Sequence, residues 1–178
     1  MIDRTNAVQV MAATAWAEAR GDGRIGMLAV ANVILTRAAH PRWWGHDIIS
    51  VCLDPWQFSC WNADDPNLPK IEAVTEADPE FAVAIGIAKV AAQGRTALAD
   101  MTRGADSYYD VRMPTPPGWA ARAVPTVTIL HHRFMRVELA APSGLPDAPP
   151  ISMHSPIIAA LSESNTRADA AERAAGAV

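Results

Sequence analysis

No stretch of this sequence is long and apolar enough to cross a membrane as a helix. The longest nearly apolar run, Phe81 to Ala88, is far short of the roughly 20 residues a span needs. Asp3, Arg4, Asn6 and Gln9 break up the N-terminus, so no secretory signal is expected. Positive charge is scarce: 15 Lys and Arg against 19 Asp and Glu give a net charge of −4, which argues against nucleic acid as the main partner. Two cysteines, Cys52 and Cys60, exclude a disulfide scaffold. They either form one bridge in an oxidising compartment or stay reduced and buried. Zinc spacings such as His-Glu-x-x-His and Cys-x-x-Cys are missing, as are a Gly-x-Ser-x-Gly elbow and a phosphate-cradling glycine loop. Zinc peptidases, serine hydrolases and nucleotide enzymes are therefore unsupported, and no metal or cofactor is expected.

What is present suits one domain with a tail. Half of the 178 residues are apolar, enough for a core. Val8, Met11, Ala12, Ala15 and Ala19 define one face of a helix over residues 4–20, capped by Asp3 or Thr5 and stopped by Gly21-Asp22-Gly23. A second helix, about 24–39, is apolar on nearly every side and is expected to be the buried central one. The stretch Asp47 to Leu53 reads equally as helix or strand. A third helix starts at Asp78-Pro79 and runs to about Gln93. Beyond Gly94 the chain turns strand-like at 107–111, 126–130 and 133–139, with a proline-stiffened loop, Met113 to Trp119, in between. Helices first and a small antiparallel sheet later make an α+β chain. We expect a domain over residues 1–141 and a Pro/Ala-rich linker and weakly structured tail over 142–178.

Glu18 is the residue with the clearest chemical potential. It lies three, four and seven positions after Ala15, Thr14 and Met11, so its carboxyl emerges along the apolar helix face, near the negative end of the helix dipole. Both placements disfavour the carboxylate and raise its pKa, as a general acid near neutral pH requires. The competing reading is a structural glutamate paired with Arg20, Arg24 or Arg37. His131 and His132, as strand neighbours, are expected on opposite faces and so not to chelate one ion. Gln57, Ser59, Trp61, Tyr108, Tyr109, Trp119 and His132 supply the rings and polar tips that a polysaccharide cleft uses, although rings of this kind also staple loops to a core.

Four blocks, in order over residues 10–139, resemble the SleB/CwlJ cell wall hydrolases, which include spore-cortex-lytic enzymes. The first runs Ala17-Glu18-Ala19-Arg20-Gly21-Asp22-Gly23-Arg24-Ile25-Gly26 and on through Ala29 to Arg37. The others are Pro55-Trp56-Gln57-Phe58-Ser59-Cys60-Trp61, then Asp100 to Tyr109 with Pro117-Gly118-Trp119, and finally His131-His132-Arg133-Phe134. Thr36 stands where the family usually has Asn, Asp22 where Glu is common, and Leu130 replaces a small residue.

The resemblance implies a lysozyme-like or lytic-transglycosylase-like domain with a helical lobe, a small antiparallel β lobe and a cleft between them. It implies peptidoglycan glycan strands as the partner, with Glu18 as the catalytic acid and Thr36 among the substrate-binding residues. One acid suffices for lytic transglycosylation between MurNAc and GlcNAc. A hydrolase needs a second carboxylate, for which Asp22, Asp100, Asp106 and Asp110 are candidates. An amidase or peptidase acting on the stem peptide, and a non-catalytic peptidoglycan-binding module, remain as alternatives. A monomer is expected, made in the cytoplasm and acting at the cell wall, as in phage-encoded lysis or a virion-associated enzyme.

Overall fold

The computed structural model describes residues 1–94 and 97–139. Among them lie five α-helices, α1 (Ala7–Ala19), α2 (Gly23–Ala39), α3 (Ile48–Leu53), α4 (Leu68–Ala73) and α5 (Pro79–Ala91). Three strands follow, β1 (Ser107–Asp110), β2 (Val124–Ile129) and β3 (His132–Arg136). The protein is therefore α+β. The expected tail and the boundary at 141 lie outside the described residues. No helix among the described residues is long and apolar enough to cross a membrane.

The N-terminal cap differs from expectation. Asn6 caps α1, its side chain accepting from Val8 and Gln9 N–H at 3.0 and 3.2 Å. Asp3 instead accepts from the Thr5 N–H and hydroxyl, closing the turn before the helix. The ambiguous stretch after Asp47 is helical because Asp47 and Ser50 form a reciprocal capping box. Asp78 caps α5 through the Phe81 N–H at 2.9 Å, with Pro79 in the first turn. Helix α4 was not expected. It is six residues long with only Ile71 buried, too short to show a period.

Helix α2 is apolar all round because it is covered on two sides. One core gathers Val10, Met11, Trp16, Met27, Val30, Ile34, Trp44, Phe58 and Phe81 from the helical layer. A smaller one sets Ala29 and Val33 of α2 against Ala105, Val127, Ile129 and Phe134 of the sheet. Tyr108 packs against both and so sits at their junction. The turn between α1 and α2 folds so tightly on the start of α2 that a Cβ at Gly26 would stand 2.4 Å from Asp22 Cβ and 3.2 Å from the Cβ and carbonyl oxygen of Ala19, the last residue of α1. Only glycine allows that approach.

The sheet is antiparallel in the order β1-β3-β2, with Tyr108 opposite Phe134 and Thr128 opposite Arg133. Strand β2 carries Pro125 at an irregularity, which an edge strand tolerates. The last strand ends at Arg136, short of the expected 139. The buried Asp106 carboxylate accepts the N–H groups of Val137, Glu138 and Leu139 at 2.8, 3.0 and 2.7 Å, so these donors leave the ladder.

Candidate active site

Glu18, in the last turn of α1, and Tyr108, on β1, meet in the lining of a cleft of about 480 Å³. Its other lining residues are Arg37, Trp43, Trp56, Gln57, Phe58, Ser59, Ser107, Trp119, Val137 and Glu138. The helical layer and its loops form one wall, and the sheet with its flanking loops forms the other.

Glu18 is partly buried. Its Oε2 accepts from the Tyr108 hydroxyl at 2.9 Å, and the Cys60 thiol also donates to it. Burial pushes the Glu18 pKa up from its ordinary value, and the Asp65 carboxylate nearby adds to the rise. Hydrogen bonds from Tyr108 and Cys60 and the nearby His132 act in the opposite direction, with burial the stronger influence. The two donors keep their protons, because burial and the facing Glu18 raise both the Tyr108 and the Cys60 pKa. The carboxyl thus sits in a place that favours its protonated form.

Two of the arginines weighed for Glu18, Arg20 and Arg37, make their hydrogen bonds to other groups. Arg20 donates to the Trp16 and Ala17 carbonyls and to Asn67 Oδ1. Arg37 is buried, and its Nε donates to the Asp106 carbonyl at 2.6 Å and its Nη1 to Gln57 Oε1 at 3.1 Å. The guanidinium also lies 5.6 and 5.3 Å from the ring centroids of Trp44 and Phe58. Arg37 therefore holds Gln57 at the cleft wall.

Of the residues singled out in the sequence, Glu18, Gln57, Ser59, Tyr108 and Trp119 line the cleft. Thr36, Trp61, Tyr109 and His132 are not among its lining residues. Thr36 is buried in α2, and its carbonyl is 2.9 Å from His40 Nδ1. Trp61 donates from its indole to Thr14 Oγ1 at 2.9 Å and carries Arg4 over its ring. Tyr109, which alternates away from Tyr108, meets Trp119 edge-on at 6.0 Å. His132 packs edge-on to Tyr108 at 5.2 Å, behind the cleft wall.

Trp43, Trp56, Arg37, Phe58, Ser107, Val137 and Glu138 join the site without having been picked out for it. Trp56 stood in a quoted motif and Arg37 as a possible partner of Glu18, but no residue spacing tells which loop rings face a common space.

The expectation that His131 and His132 point to opposite faces fails. Their Nδ1 atoms lie 2.8 and 3.0 Å from the two oxygens of Asp22. His131 belongs to the turn after Leu130, whose φ is 52°, so strand alternation does not reach it. The contact of His132 is out of line for a hydrogen bond, and Asp22 Oδ2 is left buried without a hydrogen-bond partner. Cys52 and Cys60 are free buried thiols, and burial pushes Cys52 up to about 12. Among the described residues no group of three His, Cys, Asp or Glu is placed to hold a metal ion.

A small α+β protein with a protonatable acid in a cleft between its two layers is the class that fold and site define. Residues 21–135 match the family described as Cell Wall Hydrolase, and the chain belongs to that family, the SleB type. As a member of that cell wall hydrolase family it is a peptidoglycan-degrading enzyme. The matched stretch begins three residues after Glu18. No curated protein and no solved structure matches the chain.

Proposed function

We propose that the protein cleaves the glycan strand of peptidoglycan between MurNAc and GlcNAc, with Glu18 as the single catalytic acid, by lytic transglycosylation. The observation that carries this reading is the placement of Glu18: a carboxyl kept toward its protonated form by burial, held by Tyr108, and facing a cleft lined by aromatic rings and the Gln57 amide. Such an acid gives its proton to the glycosidic oxygen as the bond from the MurNAc anomeric carbon breaks. The 6-hydroxyl of the same sugar then bonds to that carbon and returns its proton to the Glu18 carboxylate. The acid is regenerated, no water is consumed, and the product carries a 1,6-anhydro ring.

The carboxylates weighed for a hydrolytic partner support this reading by where they are spent. Asp22 faces two histidines, and Asp100 closes a turn through Thr102 and Gly104. Asp106 accepts three backbone N–H groups, and Asp110 pairs with Arg112. None of the four is a lining residue of the cleft. Glu138 is one, 3.9 Å from Arg42, and favours a second reading in which it activates water.

Mass spectrometry of products from purified sacculi decides between them. Anhydro-muropeptides that persist in Glu138→Gln are expected. Reducing ends, together with loss of activity in Glu138→Gln, would overturn transglycosylation. Release of free stem peptides would overturn glycan cleavage altogether.

A further inference from the structure

Two of the cleft's tryptophans are held out in solvent on tight turns. Trp56 is 80% exposed and Trp43 63%. Trp56 occupies the third position of a four-residue turn, Asp54 to Gln57, closed by the Gln57 N–H donating to the Asp54 carbonyl at 3.2 Å. Pro55 precedes it and its φ is 71°, the pattern of a type II turn, whose third position suits glycine. A tryptophan there takes on backbone strain without gaining burial, and strain of this kind gathers at functional sites. Trp43 stands at the second position of another tight turn, where Arg42 and Gly45 exchange backbone hydrogen bonds at 3.3 and 3.1 Å.

The two turns share one foundation. Each exposed tryptophan has a buried aromatic one or two residues on, Trp44 after Trp43 and Phe58 after Trp56. The buried Arg37 guanidinium lies against both of those rings and also holds Gln57. Trp43 further rests on Trp44, with ring centroids 5.6 Å apart. Both exposed rings line the same cleft as Glu18. From this we infer that Trp43 and Trp56 form a sugar-stacking platform that holds an extended N-acetylated glycan strand in the cleft. The apolar faces of pyranose rings lie on the indoles, while Gln57 and Ser59 meet hydroxyl and acetamido groups. The inference rests on the glycan reading above and extends it to a subsite built from two turns.

The test uses the full chain carrying Glu18→Gln, titrated calorimetrically with the hexamer of N-acetylglucosamine. Trp43→Ala and Trp56→Ala, each added to that chain, are expected to weaken binding by about tenfold. Trp56→Gly is the sharper variant: relief of the left-handed backbone holds or raises the melting temperature while affinity falls. A buried structural role would move both in the same direction. Hexamer affinity unchanged in both alanine variants, with the parent binding well, would overturn the platform and leave the glycan reading intact. A parent that binds neither hexamer nor sacculi would overturn that reading and the platform with it. If the parent self-associates and the alanine variants lose only that property, the surface joins two copies of the chain and the platform is wrong.

Discussion

The Tyr108 hydroxyl donates to Glu18 Oε2 at 2.9 Å, tying the first strand of the sheet to the last turn of the first helix. This bond favours the ionised carboxylate, whereas burial favours the acid. Tyr108→Phe removes the opposing influence. The Glu18 pKa is then expected to rise further, and the alkaline limb of the activity profile to move to higher pH. A pH–rate series on sacculi checks this, and a limb that stays in place or moves to lower pH would count against Glu18 as the titrating acid.

Glu18→Gln keeps the shape of the side chain and removes the proton. Cleavage is expected to fall by about 10²–10⁴-fold, the usual worth of a positioned acid. Stability should respond in the other direction. Because the native state holds the Glu18 proton more tightly than the unfolded chain, its contribution is full below the ordinary glutamate pKa of 4.5 and is lost as pH rises through the raised native value. Wild type should therefore lose ground to Glu18→Gln as pH rises above about 4.5. Melting curves of both proteins across that range measure the effect.

Asp22 is held between two histidines and away from the cleft, so its role is expected to be structural. Asp22→Asn weakens the junction between the α1–α2 turn and the β2–β3 turn. A loss of about 1–3 kcal/mol in denaturant unfolding is expected, from disturbed pairing at a buried carboxylate. Activity measured below the new melting point should change far less than in Glu18→Gln. A loss as large as that of Glu18→Gln in a folded protein would make Asp22 a working carboxylate.

The two thiols are expected to resist modification. Both are buried with raised pKa values, so thiolate is scarce in the native state. Native protein treated with iodoacetamide should keep its activity and take up label only after denaturation. Inactivation of folded protein in step with labelling would revive a cysteine nucleophile.

The three longest helices were readable because their periods are local, although the cap of α1 was not. Asp78-Pro79 announces α5, and the all-round apolar α2 announces a helix covered on two sides. Glu18 was readable for the same reason, since its place on an apolar face follows from the 3.6-residue repeat alone. The rest of the cleft depends on contacts far apart in sequence. Tyr108 reaches Glu18 across ninety positions, and Arg37 reaches the Asp106 carbonyl across sixty-nine. Side chains on loops carry no period, which is why Trp61 and His132 looked as suitable as Gln57 until the fold placed them. Strand alternation also misled at His131, where a turn residue with positive φ precedes it.

Arg37 gives the last prediction, because it joins stability to the site. Its guanidinium is flat, forked and buried, and it fills the space between Trp44 and Phe58 while bonding both the Asp106 carbonyl and Gln57. Burial lowers its pKa from the ordinary arginine value, but an arginine has room to fall and stay charged. Lysine offers one compact ammonium in place of that fork and cannot stack on two rings in the same way. Arg37→Lys is expected to lose about 1–3 kcal/mol of stability, since at least one buried acceptor is left without its donor. Activity should fall as well, because Gln57 loses its anchor and both tryptophan-bearing turns lose their common support. Denaturant unfolding together with glycan affinity and turnover checks the coupling. An Arg37→Lys protein with native stability and native turnover would show that neither the core nor the cleft depends on the fork.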